Sequence, residues 1–205
     1  MKKYLLVLVL VTSVSAASAQ LRVGLKAGAN ATTAKVIATD GSRPSVPYSG
    51  GYHVGAELKV LLEGQLYFVP QVQYSHKVFA IEYNNVDTSV NTLKMNYLEI
   101  PLLFEWKKSF YKSGIFVQFG PSMSFVLSGK EEITGKEEMN KPMKIASTAY
   151  GRAEANAVIN VGYQFGRSFQ FTIGYVYGMG TIVDNDNGPV IKPRMFTASV
   201  HYFLN

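Results

Sequence analysis

From Leu21 to the C-terminus the chain alternates apolar and polar residues with a period of two, in eight separate segments: 21–30, 49–60, 66–79, 94–107, 113–128, 149–165, 169–180 and 194–204. Side chains on a β-strand point alternately to opposite faces, so each segment predicts a strand with one oily face and one wet face. The fifth is the clearest. Ile115, Val117, Phe119, Pro121, Met123, Phe125 and Leu127 fall on one face, while Gly114, Phe116, Gln118, Gly120, Ser122, Ser124 and Ser128 fall on the other. No stretch carries a competing apolar stripe at the 3.6-residue helical period.

The connections constrain the fold further. Those after the first, third, fifth and seventh segments are long and polar (31–48, 80–93, 129–148 and 181–193), and the intervening ones are short. Short turns on one side and long loops on the other, with an even number of strands, are the pattern of an all-β, eight-stranded antiparallel up-and-down transmembrane β-barrel. The parity predicts a bacterial outer-membrane location, both termini in the periplasm and four loops outside. A soluble ligand-carrying barrel is the competing reading, and it would bury the oily face inside. The wet face here is mainly Gly, Ser, Thr, Asn and Gln, which suits a cramped interior better than a water-exposed surface. Aromatic residues also gather at segment ends, with Trp106, Phe165, Phe169 and Tyr202 on the short-turn side and Tyr52, Phe125, Tyr175 and Tyr177 on the loop side. Two such groups predict a pair of interfacial girdles in contact with outer-membrane lipid.

Residues 1–19 read as a leader rather than as part of the fold. Lys2 and Lys3 precede an apolar run, Tyr4 to Val11, and the small residues Ala17, Ser18 and Ala19 mark a cleavage site between Ala19 and Gln20. The run is far shorter than the roughly 20 residues that a membrane-spanning helix needs. The expected organisation is therefore a cleaved signal peptide, 1–19, and one β-barrel domain, 20–205. Loss of the two lysines leaves a net charge of about +4, too mild and too scattered to point to nucleic acid. The chain has no cysteine, which excludes disulfides and thiolate chemistry. No cofactor motif is found.

Parity places Arg22, Lys26, Lys59 and Arg152 on the inner face opposite Glu57, Glu99, Glu105 and Glu154. One sign of charge around a water-filled hole would set ion selectivity, whereas mixed signs in a narrow barrel should pair and plug it. Burying such ions costs several kcal/mol each unless they are paired and hydrogen-bonded, so a connected network is expected. Pro70, Pro101 and Pro121 fall within strands, where a missing N–H predicts bulges or strand ends.

Three features bear on chemistry. Ser199 and His201 share a face of the last segment, the least that a base-activated hydroxyl needs, although no third group to orient the base is identifiable. His76 has lipid-facing parity beside Ser75, near the outer rim. The run Asp184 to Gly188 has the look of a calcium loop, but Met195 stands where the EF-hand loop requires a bidentate Glu, so it reads as a turn. Catalytic and metal-binding residues are therefore not expected.

The stretches Tyr97-Leu98-Glu99-Ile100-Pro101-Leu102-Leu103 and Phe116-Val117-Gln118-Phe119-Gly120-Pro121-Ser122, with the opening Gly24-Leu25-Lys26-Ala27-Gly28-Ala29-Asn30, resemble strands of the PorT-like outer-membrane β-barrel family of Bacteroidetes. The resemblance implies roles in surface binding, envelope integrity or assistance to secretion, with envelope or secretion proteins as partners. It also implies recognition by the barrel-assembly machinery through a terminal aromatic residue, from which Asn205 departs. The leading expectation is a non-enzymatic barrel with a plugged lumen, acting through its external loops or its periplasmic rim. The alternatives are a lipid-modifying enzyme using His76 or His201, and a small-solute channel or carrier.

Overall fold

The computed structural model describes residues 21–83, 89–108, 113–134, 139–142, 152–181 and 190–204. Among the described residues there are nine strands: β1 (Leu21–Ile37), β2 (Ser49–Glu63), β3 (Leu66–Tyr83), β4 (Ser89–Lys107), β5 (Gly114–Thr134), β6 (Met139–Pro142), β7 (Ala153–Phe165), β8 (Phe169–Gly178) and β9 (Val190–Leu204). Eight of them pair antiparallel in a ring. β1 pairs with β2 and β9, the order continues through β3 and β4 to β5, and β5 passes to β7 and β8. A sheet closed in this way leaves no unpaired edge. The short β6 pairs with the far end of β5, beyond the ring. Tight turns close the β2–β3 and β7–β8 hairpins, with Gly64 and Gly166 in the left-handed region at φ 56° and 60°, where a side chain would be strained. Residues 1–20, which include the expected leader and its expected cleavage site at Ala19–Gln20, lie outside the described residues, as do the run Asp184–Gly188 and Asn205.

The strands run further toward the long-loop end than the alternation suggests. Residues 31–37, 80–83, 89–93, 129–134 and 190–193, expected in loops, continue β1, β3, β4, β5 and β9. The reason lies in a reversal of sorting along one strand at constant parity. On β3 the inward residues Gln71, Gln73, Ser75 and Lys77 give way to Phe79 and Ile81, while the outward Val72 and Tyr74 give way to His76 and Glu82, with the half-buried Val78 and Ala80 between these two. On β4 the inward Glu99 gives way to Leu93 and Met95, and the outward Leu98 to Asn96 and Lys94. Where lipid is outside, apolar side chains face out. Where water is outside, the same physics turns them in. Val36, Phe79, Ile81, Leu93, Met95, Tyr97 and Ile191 therefore form a buried apolar cluster that caps the loop end of the barrel.

Two sequence expectations about β5 and the prolines are corrected by the register. Asn96 pairs with Ser128, but Tyr97 pairs with Val126, so Leu127 is an extra residue in a β-bulge. Ser128 therefore points outward, where its hydroxyl accepts from Asn96 Nδ2 at 2.8 Å, and does not join the inner face. At Pro70, Pro101 and Pro121 the register does not change and no strand ends. Instead each proline lacks an N–H and two successive pairings drop out there, Leu58–Pro70 with Lys59–Val69, Gln71–Pro101 with Val72–Ile100, and Leu102–Pro121 with Leu103–Gly120, before the ladder resumes in the same register. The three gaps lie on one diagonal across β2 to β5.

Candidate functional site

The interior of the barrel is the most highly organised region of the molecule, and its side chains come from every strand of the ring. Near the turn end Lys59 pairs with Glu105, both fully buried. Glu105 also accepts from Gln118 Nε2 at 3.0 Å, and Gln118 Oε1 accepts from Asn160 Nδ2 at 2.9 Å. In the middle, Lys26 Nζ donates to Gln71 Oε1 at 3.2 Å and Gln71 Nε2 donates to Glu57 Oε2 at 3.0 Å. The other oxygen of Glu57 lies 2.8 Å from His201 Nδ1. Above these, Glu99 receives Lys77 Nζ at 2.6 Å, Gln73 Nε2 at 2.5 Å and Ser124 Oγ at 3.1 Å. Tyr97 donates its hydroxyl to Glu154 Oε1 at 2.6 Å, and the Lys77 ammonium stands 4.3 Å from the Tyr97 ring centre.

Of the charged residues that parity places inside, Lys26, Lys59, Glu57, Glu99, Glu105 and Glu154 are buried in this network. Arg22 is inside too, but it stacks 4.7 Å from the Phe203 ring centre, and its Nη2 has no hydrogen-bond partner. Arg152 is not in the lumen. It precedes the start of β7 at the loop end, where its side chain is exposed and its carbonyl accepts from the Val126 N–H at 2.9 Å. Lys77, His53 and Tyr97 are the buried participants that the charge pairing missed, although each has the same parity as its inward neighbours Ser75, Gly55 and Glu99.

Ser199 and His201 do not bond to each other. Ser199 Oγ lies 2.8 Å from His53 Nε2, and His201 Nε2 lies 3.0 Å from Thr172 Oγ1. Adjacent inward residues on one strand diverge to different neighbours because the lumen brings β2 and β8 closer to them than they are to each other. Thr172, His201 and Glu57 do stand in series as hydroxyl, imidazole and carboxylate. In the neutral ring, Nδ1–H donates to the carboxylate and Nε2 accepts from the hydroxyl. All three are buried. The cavity at mid-lumen, between Lys26, His53, Gln71 and Glu99, is about 20 Å³, room for one water and for no substrate. His76 lies on the outer face as its parity requires, bonded to Asn96 Oδ1 at 2.7 Å and stacked at 5.4 Å on Tyr52.

The outer wall is apolar around the ring: Val54, Val72, Phe119, Ile159, Ile173 and Val200 are each at least half exposed. Tyr52, Trp106, Phe165, Phe169, Tyr177 and Tyr202 are exposed on this wall, with Phe125 and Tyr175 partly so. Trp106 pairs with Leu66 beside one short turn, and Phe165, Phe169 and Tyr202 adjoin another, while Tyr52, Tyr175 and Tyr177 lie toward the loops. A contiguous apolar surface of this extent is stable only against another apolar phase.

No curated protein matches the chain. Among solved structures it is similar to the attachment invasion locus protein Ail of Yersinia pestis (10% identity, TM-score 0.49, 90% of this chain and 99% of that one). It is similar also to Neisserial surface protein A (12%, 0.46, 88% and 96%) and to OprG of Pseudomonas aeruginosa (8%, 0.43, 91% and 96%). The model of the outer membrane protein beta-barrel domain matches residues 15–184, and with its closed ring, apolar wall and polar interior the chain belongs to that family of the bacterial outer membrane.

Proposed function

We propose that this protein is a non-enzymatic, solute-tight barrel that works through the β-structure projecting at its loop end, with the loop end outside the cell and both termini in the periplasm. One observation carries the reading. The lumen is filled through its middle by a network of polar side chains, the inward apolar side chains of Val69, Leu103, Phe116 and Phe203 are buried toward the turn end, and the loop end is capped by the cluster around Phe79, Leu93 and Met95. With the interior occupied, the surfaces left to meet partners are the extended strands and loops above the apolar wall. Surface binding, envelope integrity and assistance to secretion are all activities of that kind. The motifs at 97–103 and 116–122 favour the PorT-like branch of the family.

Planar-bilayer recording of the purified protein tests the closure. We expect no steady conductance, and a large, lasting one would overturn the reading in favour of a channel. A cysteine-free chain makes orientation simple to test. Thr39→Cys, in the exposed β1–β2 loop, should react with a membrane-impermeant maleimide in intact cells, and Arg167→Cys, in the exposed β7–β8 turn, should react only after lysis. The reverse labelling pattern would invert the topology.

A further inference from the structure

At the loop end, just above the aromatic residues of the wall, β1 and β9 set Lys35 directly opposite Lys192, and two residues nearer the wall Arg194 lies opposite Thr33. All three cations have outward parity. Like charges directly opposed on one sheet face destabilise the pair. A second opposed pair, Lys94 and Lys130 on β4 and β5, carries its own remedy, because Glu132 lies 2.6 Å from Lys94 Nζ. Among the described residues no carboxylate forms an ion pair with Lys35, Lys192 or Arg194, and the buried Nε of Arg194 has no hydrogen-bond partner.

Two of these cations, Lys35 and Arg194, line a recess of about 550 Å³ that is wet at one side and oily at the other, and Lys192 stands beside it opposite Lys35. Lys35 and Arg194 line it above. Below them Phe196 packs between Tyr48 and Tyr175, with ring centres at 5.8 and 5.0 Å, and Arg194 lies 5.5 Å from the ring of Tyr177. The aromatic shelf continues without a break into the apolar wall through Ile173, Ala198 and Val200. A soluble anion would use only the upper half of such a site. An amphiphile with a phosphate headgroup and acyl chains would use both halves, with Arg and Lys on the phosphate and the aromatic rings at the level of the interface.

We propose that the β8–β9–β1 face binds the phosphorylated headgroup of an outer-leaflet lipid, with Lys35, Lys192 and Arg194 as the phosphate ligands and Phe196, Tyr48 and Tyr175 as the seat of its acyl base. The proposal rests on the loop end being external, which the maleimide labelling tests separately from any binding measurement.

The experiment compares binding of lipid A, and of lipid A stripped of its phosphates but with the same acyl chains, to the purified protein in detergent. A cation near a charged lipid surface contributes about fivefold in affinity. The intact lipid should bind at least tenfold tighter than the stripped one. The variant Lys35→Gln/Lys192→Gln/Arg194→Gln should lose that preference while still shifting between unheated and boiled gel samples, and Lys94→Gln/Lys130→Gln should keep it. Equal binding of the two lipids, or a preference that survives the triple substitution, would overturn the proposal. Displacement of lipid A by a soluble sulfated polysaccharide, with equal affinity of that polysaccharide for the protein in the absence of lipid, would also overturn it and assign the cations to a soluble polyanion.

Discussion

Glu57 and His201 stand 144 residues apart in the chain and 2.8 Å apart in the lumen, where the Glu57 carboxylate also receives Gln71 and, through it, Lys26. One carboxylate thus holds together two polar chains that come from β1, β3 and β9. Glu57→Ala removes the acceptor and leaves the buried Gln71 amide and the buried His201 imidazole without their partner, and each buried polar group left unsatisfied costs about 1–3 kcal/mol. We expect a marked fall in the urea midpoint for unfolding in detergent. Glu57→Gln keeps an acceptor oxygen and should fall less, and equal losses would show that charge, and not hydrogen bonding, holds the site.

The reversal of sorting between Tyr74 and His76 on β3 gives a second prediction. Val72 is 52% exposed on the wall below the boundary, and Thr92 has outward parity above it, on the strand that carries Lys94. Arginine at the lipid midplane costs about 2–4 kcal/mol in such barrels and about 0–1 near the interface. Val72→Arg should impair assembly into the outer membrane, and Thr92→Arg, facing Glu132, should be tolerated. Equal damage from the two would place the boundary elsewhere.

Phe79 is fully buried in the apolar cap. Phe79→Ala should cost about 3–5 kcal/mol locally, the usual range for a large core aromatic. The cap lies beyond the lipid-facing wall, so the loss should surface as protease cleavage near the β3–β4 hairpin while the gel shift of the barrel persists. Loss of the gel shift as well would mean that the cap and the ring fold as one unit.

Gly120 sits where a Cβ would come within 2.2 Å of the Leu102 carbonyl oxygen, beside the pairing that Pro121 interrupts. Even Gly120→Ala should therefore lower the unfolding midpoint, since backbone cannot move aside as a side-chain tip can. Gly50→Ala, at a position with open space around it, serves as the control and should be neutral.

The amino-acid sequence by itself determined the architecture. Alternation with a period of two sorts every side chain to one of two faces, and the length parity of the connections orders eight strands into an up-and-down ring, because both signals are local and each strand carries them alone. The inner placement of Lys26, Glu57, Lys59, Glu99, Glu105 and Glu154 follows from the same parity. Tertiary structure decided what parity cannot encode. The partner of an inward side chain depends on which strands the narrow lumen brings together, so Ser199 met His53, His201 met Glu57 and Thr172, and Lys77 met Glu99. One inserted residue, Leu127, turned the rest of β5 over and carried Ser128 outward. The end of the lipid is a property of the surroundings and not of any single strand, and for that reason residues 80–83 and 89–93 read as loop while the folded protein uses their apolar face to close the barrel.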